Sequence, residues 1–316
     1  MKVERRRLFN FVIKLLYGII SLWKWSAQRI RLTLFHRRDE VIDYFADKDI
    51  SDKKKERLLI VVAHYVTPQT VTDQELFKVK ADRLEKTLEG IWRSFSDYEL
   101  KVMIHTMKGC EVLKGISDFH HSKINVNEEY EGDPMCLEFC AQEEFIRRKN
   151  DHDWFLAIED DIVIQDSLFI KKYDFFNRSM KDPHFLLMPH RFEMCRGEKV
   201  YFDLAWKGAG KSFHWNRFSR FIFEGIHFGE CGNPHGGMYL LNRVQLDLWE
   251  KSGRFWNNRV TWVGHLESAM TGCLYESFTV MKAHLQNLSF LEVQHWDQKY
   301  APALKDINLQ KEMNET

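Results

Sequence analysis

The feature that most constrains this chain is an acid triplet set inside an apolar run: Trp154-Phe-Leu-Ala-Ile158, then Glu159-Asp160-Asp161, then Ile162-Val-Ile164. Apolar residues on both sides put the three carboxylates within buried structure rather than in a surface turn. There they lose hydration and repel one another, so each raises its neighbours' pKa unless a counter-charge arrives. At the two-residue period of a strand, Glu159 and Asp161 face one side and Asp160 the other. Two oxygen ligands on one face suit a hard divalent cation that keeps further positions for phosphate oxygens. In an open α/β sheet, the carboxyl ends of strands form the ligand crevice.

The pattern around the triplet predicts an α/β fold with a mostly parallel sheet flanked by helices. Leu58-Leu-Ile-Val-Val-Ala-His64 reads as a buried parallel strand. Lys78 to Phe95 puts Leu84, Leu88, Ile91 and Trp92 on one helical stripe. Tyr98 to His105 is a second strand, and Asp153 to Ile164 a third, interrupted by the acids. Met135 to Arg148 reads as a helix opened by Asp133-Pro134. After about residue 185 the alternation loosens. Phe185 to Pro189 and Gly237 to Leu241 read as strands, Val244 to Lys251 and Leu266 to Tyr275 as helices. The expected organisation is a catalytic domain over 58–300, with a nucleotide-binding half at 58–166 and an acceptor half at 167–300, and a tail at 301–316.

Composition excludes disordered and low-complexity classes, since 44% of the 316 residues are hydrophobic and 29% charged. Lys+Arg and Asp+Glu both count 46, so no nucleic-acid partner is expected. The balance hides a polarity. Residues 1–38 hold ten Lys/Arg and one acid, net +9, which leaves −9 on the remainder. Residues 1–46 read as a basic arm and 47–57 as a charged linker. Within the arm, Leu8 to Trp23 is apolar but only 16 residues long and carries Asn10 and Lys14. A spanning helix needs about 20 largely apolar residues. An amphipathic helix lying on an anionic membrane surface, at the cytoplasmic face, is the reading taken. The alternatives are a type II signal anchor of the secretory pathway and a helix packed on the domain. The six cysteines include no CxxC pair, and free buried thiols in a reducing compartment are expected. Asn177, Asn287 and Asn314 begin N-x-S/T triplets.

An apolar strand running into Glu-Asp-Asp and further apolar residues resembles the "DXD" element of GT-A-fold glycosyltransferases. The resemblance implies that Glu159 meets the nucleotide ribose or the metal, that Asp160 lies near the donor sugar, and that Asp161 binds Mn²⁺ or Mg²⁺. Glu stands here where the family's first Asp is expected. Pro234-His-Gly-Gly-Met-Tyr-Leu-Leu-Asn242 is similar to the Gly-Gly strand of inverting members, which would put Gly236 and Gly237 against the donor. Thr261-Trp-Val-Gly-His-Leu-Glu-Ser-Ala269 resembles the segment that opens the helix carrying the base, which points to Glu267. The bland alternative is a helix-start glutamate favoured by the macrodipole, and a retaining enzyme would use no such base. His295 fits the family's late metal-binding histidine, with His284 as competitor, and His64 joins the donor- and nucleotide-binding set. Trp256, Trp262 and Trp296 are candidate platforms for a sugar face.

The resemblance spans roughly residues 58–296. It implies a metal-dependent, inverting hexosyl- or N-acetylhexosaminyltransferase. Its donor would be a nucleotide sugar, uridine-linked, and its acceptor a glycan or glycolipid, as in polysaccharide biosynthesis. Two other readings remain. Ala205-Trp-Lys-Gly-Ala-Gly-Lys-Ser212 matches a relaxed phosphate loop, with Val200 onward as its strand, and would make a phosphotransferase. A catalytically dead GT-A fold would instead be a carbohydrate-binding protein.

Overall fold

A computed structural model of the chain describes residues 55–203, 220–230, 233–253, 255, 264–275, 277–297 and 299–301. These all belong to one unit, Asp49–Thr316. The basic arm, the phosphate-loop-like segment 205–212, Trp256, Trp262 and Asn314 lie outside the described residues.

The apolar run after the charged linker forms β1 (Arg57–Ala63), buried along almost its whole length. β2 (Glu99–His105), β3 (Ile124–Asn127) and β4 (Trp154–Glu159) run parallel with it, β1 pairing with β2 and β4 on its two sides. Then follow β5 (Ile162–Val163), β6 (Phe185–Leu187), β7 (His190–Cys195), β8 (Glu198–Tyr201), β9 (Arg220–Phe223), β10 (Ile226–Glu230), β11 (Met238–Asn242), β12 (Thr279–Ala283) and β13 (Glu292–His295). β11 joins the first sheet antiparallel to β4, giving the order β11-β4-β1-β2-β3. Two four-stranded sheets complete the set, β6-β12-β10-β9 and β5-β13-β7-β8.

The acids therefore do not interrupt one strand. β4 ends at Glu159 in the first sheet, and β5 starts at Ile162 in another. Asp160 and Asp161 form the turn where the chain passes between them. β13 lies antiparallel on β5 with His295 opposite Ile162, and Trp296 N–H donates to the Asp161 carbonyl at 2.8 Å. This register carries a histidine from far along the chain to the acid turn.

Helix α1 (Gln74–Ser94) connects β1 to β2, capped by Asp73, whose carboxylate accepts the Glu75 and Leu76 N–H groups. Leu84, Leu88 and Ile91 bury one face of it, as the stripe predicts. A second stripe, Arg83, Thr87, Gly90 and Ser94, follows the acid turn. Thr87 donates to the Asp160 carbonyl at 2.9 Å, and Ser94 donates to the Ile164 carbonyl at 2.9 Å. At Gly90 the helix comes so close that a Cβ would stand 2.7 Å from the Ile164 carbonyl oxygen.

The helix predicted over 135–148 splits into a 3-10 turn, Pro134–Phe139, and α2 (Cys140–Arg147). Leu137, Glu138 and Phe139 are all buried in that turn. α3 (Phe169–Met180) buries Asn177 against Gln245, so that triplet offers no accessible amide. α4 (Arg243–Lys251) starts with a capping box between Asn242 and Gln245. The run 265–275 opens as a short helix, widens into a π-helical turn at Ser268–Gly272, and closes at Cys273–Tyr275. β8, the strand before the phosphate-loop-like segment, pairs antiparallel with β7 at a sheet edge. A phosphate loop needs a strand feeding directly into a helix N-terminus from a parallel sheet, and this edge strand is not one. Cys110, Cys136, Cys140, Cys195 and Cys273 are free thiols, as expected, but only Cys273 is fully buried.

Candidate active site

Two adjacent aspartates at the acid turn have different surroundings. Asp160 is fully engaged: Arg83 Nη2 donates to Oδ1 at 2.7 Å, and His64 Nδ1 lies 2.6 Å from Oδ2. Burial raises its pKa, but the Arg83 charge and the His64 hydrogen bond outweigh it and hold the carboxyl well below the usual carboxylate range. The Val112 N–H donates to His64 Nε2 at 3.2 Å, so the ring proton sits on Nδ1 and points at Asp160. His64 is 0% exposed with both nitrogens used. His64 thus holds Asp160, whose two carboxylate oxygens are both engaged by protein groups.

Asp161, the second residue of the turn, meets a histidine from β13. Its Oδ2 lies 3.6 Å from Arg83 Nη1 and 3.4 Å from His295 Nε2, and its Oδ1 has no hydrogen-bond partner. His295 Nδ1 is 2.9 Å from Oε1 of Glu193, which is 0% exposed and also accepts from the Tyr300 and Ala301 backbone N–H groups. With three donors already satisfying its carboxylate, Glu193 fixes the His295 ring and leaves Nε2 aimed at Asp161. A neutral ring oriented this way sets a nitrogen lone pair against a carboxylate oxygen, so the pair needs a proton or a cation between them. Burial lowers the His295 pKa, but the Asp161 hydrogen bond and charge reverse this and raise it. A buried carboxylate behind a histidine is also the arrangement that orients metal-binding imidazoles.

Glu159 ends β4 with its N–H donating to the Gly237 carbonyl at 3.0 Å. Its carboxylate turns to His235, Oε1 standing 3.5 Å from Nε2 without a hydrogen bond. Burial, then the Asp161 charge, push its pKa up to about 8. The expected three-residue metal set thus divides: Asp161 and His295 come together, while Glu159 faces His235. Gly237 takes φ +64°, and a Cβ there would meet Ile162 Cδ1 at 2.7 Å and Glu159 Oε2 at 3.2 Å. The glycine pair lets β11 close on the strand end and its acid. Gly236 packs on Pro189, whose Cδ a Cβ would meet at 3.0 Å.

Three further groups were not singled out from sequence. Glu138 is 9% exposed and its pKa is pushed up to about 8 by burial, with Glu159, Asp160 and Asp161 adding to it. Its Oε2 has no hydrogen-bond partner. The signal was an acid between Leu137 and Phe139 behind a helix-opening proline. His235 stands directly before the glycine pair; its Nδ1 lies 3.0 Å from Thr271 Oγ1, and its carbonyl accepts Lys282 Nζ at 2.8 Å. Lys282 also lies 3.5 Å from Asp203, which Arg191 grips with two bonds of 2.9 and 3.0 Å. This wholly buried ionic group supports His235 from behind. Arg83 is the third, placed on the same helix stripe as Thr87 and Ser94.

Glu267 is the third residue of the short helix opening 265–275, its carboxylate folded over Gly264 so that a Cβ there would lie 2.7 Å from Oε2. The next turn holds Thr271 against His235, which links this run to Glu159. Trp296 is 38% exposed directly beside Asp161. His284 sits at the end of β12, its N–H bound to the His227 carbonyl and its ring facing the His227 ring. A separate open concavity of about 670 Å³ lies beside β3, lined by residues that include Glu111, Lys114, Asn127 and Arg147, and contains none of the acid cluster.

The unpartnered oxygens of Glu138, Glu159 and Asp161, with the His295 nitrogen, are the donor types that a divalent cation such as Mn²⁺ or Mg²⁺ takes. Asp161 and His295 can contribute two such ligands, but among the described residues no third carboxylate or histidine has its ligand atom within 4.8 Å of both.

No protein-family model matches the chain, and no curated protein matches it. Solved structures similar to it include a mannose-1-phosphate geranyltransferase from Thermus thermophilus, at 11% identity and TM-score 0.39, over 72% of this chain and 73% of that one. Another is the mannosyltransferase PcManGT from Pyrobaculum calidifontis, in complex with GDP-Man and Mn²⁺, at 11% identity and TM-score 0.38, over 90% of this chain and 66% of that one. A third is the galactosyltransferase LgtC in complex with donor and acceptor sugar analogues, at 11% identity and TM-score 0.33, over 81% of this chain and 94% of that one.

Proposed function

We propose that the chain is a GT-A-type glycosyltransferase, dependent on a divalent cation, that moves a sugar from a nucleoside diphosphate to a hydroxyl of a glycan or glycolipid. The observation that carries this reading is the Asp161–His295–Glu193 relay at the carboxyl end of β4, with Glu138 and Glu159, whose carboxyl pKa values burial raises, near enough for the Asp161 charge to raise them further. Asp161 and His295 would hold the cation, and Glu159 or Glu138 would complete its oxygen ligands. When bound, Mn²⁺ or Mg²⁺ supplies positive charge for the departing diphosphate. Gly236 and Gly237 let β11 pack close against the strand end that would face the donor, and the exposed face of Trp296 offers a platform for a sugar ring. Glu267 would accept the proton of the attacking hydroxyl, with inversion at the anomeric carbon. The donor is read as uridine-linked and the transferred group as a hexose or N-acetylhexosamine. The basic arm would bring the enzyme to the anionic cytoplasmic face of a membrane. Among the described residues, no helix is long and apolar enough to cross one.

The test is a thermal-shift screen of UDP- and GDP-sugars with and without Mn²⁺, repeated on Asp161→Asn. Stabilisation that needs both nucleotide and metal, and that disappears in Asp161→Asn, is the expected result. Failure of every nucleotide sugar to stabilise the wild type overturns the reading.

A further inference from the structure

A second set of ligating side chains shares no residue with the acid cluster. Asp133, Cys136 and His265 offer a carboxylate oxygen, a thiol sulfur and an imidazole nitrogen that all lie within 4.8 Å of one another. The three come from two segments distant in sequence, the 3-10 turn Pro134–Phe139 with its cap and the helix opening 265–275. Asp133 caps the turn through Oδ1, which accepts the Met135 N–H at 2.9 Å. Its other oxygen, Oδ2, stands 3.9 Å from His265 Nε2. Cys136 N–H donates to the Asp133 carbonyl at 2.8 Å, which sets the thiol on the same side of the turn as its cap.

We propose that Asp133, Cys136 and His265 form a site for a borderline-soft divalent transition metal of the Zn²⁺ or Co²⁺ class, which clamps the 134–139 turn to the 265–275 run. A set with one sulfur and one imidazole favours such ions over Mg²⁺, Ca²⁺ or Mn²⁺, which prefer all-oxygen surroundings. Tetrahedral bonds of ordinary length separate ligand atoms by about 3.3–3.6 Å. The observed 3.9 Å between Oδ2 and Nε2 closes to this with a few tenths of an ångström of side-chain movement, of the order that rotamer adjustment supplies. The Asp133 and His265 side chains are 56% and 39% exposed, which gives the ion a path in. Three protein ligands leave a fourth position for water or an outside ligand. On binding, Cys136 gives up its thiol proton to solvent and ligates as the thiolate. The clamp spans the two segments that carry Glu138 and Glu267, each two residues beyond a ligand, so loading it fixes the spacing between them.

The test is a titration of the full-length protein with Co²⁺ alone, read by absorption. The acid cluster contains no sulfur, so a thiolate-to-Co²⁺ charge-transfer band reports this site and not the other. The expected result is such a band saturating at one equivalent, lost in Cys136→Ser, retained in Asp161→Asn and Cys140→Ser, and weakened about tenfold or more in affinity by His265→Ala. Absence of the band in the wild type, or its survival in Cys136→Ser, overturns the proposal. If Cys136→Ser fails to fold by circular dichroism, the partly exposed His265→Ala carries the test, and an unchanged Co²⁺ affinity there also overturns it.

Discussion

Glu138 and Glu159 give the acid cluster a thermodynamic signature that can be read without substrate. Both carboxyls are raised from an ordinary 4.5 to about 8 by burial and by neighbouring acids. A raised folded-state pKa means that the folded protein keeps a proton that the unfolded chain has released. The stability this proton contributes is full below the unfolded value and is lost as pH rises through the folded one. Each such proton tilts stability by about 1.4 kcal/mol per pH unit between the two pKa values. From about pH 5 to about pH 7 one proton accounts for roughly 3 kcal/mol, an upper bound once water access and relaxation are allowed for. Glu138→Gln keeps the shape and removes the titration. In chelator-treated protein, urea unfolding across this range should therefore fall less steeply with pH in the variant than in the wild type. The difference should approach one proton's slope. Added Mn²⁺ should stabilise the wild type increasingly as pH rises, since bound metal requires ionised carboxylates. Parallel pH profiles for the two proteins would refute both the burial of an acidic Glu138 and its place in the cluster.

Arg83→Met should cost on the order of 3 kcal/mol in urea unfolding, because it strips Asp160 of its main counter-charge in a buried setting, and Asp160→Asn in the same chain should restore part of the loss. Additive costs would separate the two residues. Glu267→Gln should lower turnover by about 10²–10⁴ while nucleotide-sugar affinity measured by calorimetry stays within a few-fold; equal loss of both would make Glu267 structural. A chain beginning near Ser51 should lose sedimentation with anionic vesicles at low salt yet keep nucleotide-sugar binding, whereas undiminished vesicle binding would take the arm out of membrane attachment.

Most of the strands and helices that frame the site were legible, because continuous apolar runs and one amphipathic stripe leave few alternatives. β1, β4 and α1 follow directly from Leu58–Ala63, Trp154–Ile158 and the Leu84, Leu88, Ile91 spacing. The pairing of Glu159 with Asp161 on one face, expected from the strand period, does not hold, because Asp160 and Asp161 form a turn between two sheets and Glu159 meets His235 instead. What sequence could not supply is which side chains converge from elsewhere. Arg83 and His235 reach the acids, and Glu193 reaches His295, through tertiary packing, and no local pattern distinguishes them from ordinary surface or core residues. The partners of His64 were hidden for the same reason: nothing in the strand-end sequence shows that Val112 and Asp160 occupy both its nitrogens. The change of sheet at Asp160–Asp161 depends on β13 pairing with β5 across more than a hundred residues, a separation that periodicity does not sense.

Gly90 sets local and global interests of this chain against each other. Inside the last turns of a long helix, glycine is worth up to about 1 kcal/mol less than alanine, so any scheme that stabilises proteins by raising helix propensity would replace it first. At this position the added methyl would strike a backbone oxygen at 2.7 Å, an obstacle that no rotamer change relieves. The helix would have to lift away from 160–164, taking Arg83 and Thr87 with it and loosening the two bonds that hold the turn in place. Gly90→Ala would thus trade a stiffer helix for a displaced acid turn. The weakest helix former on α1 serves as the gauge that sets how far the acids stand from the scaffold.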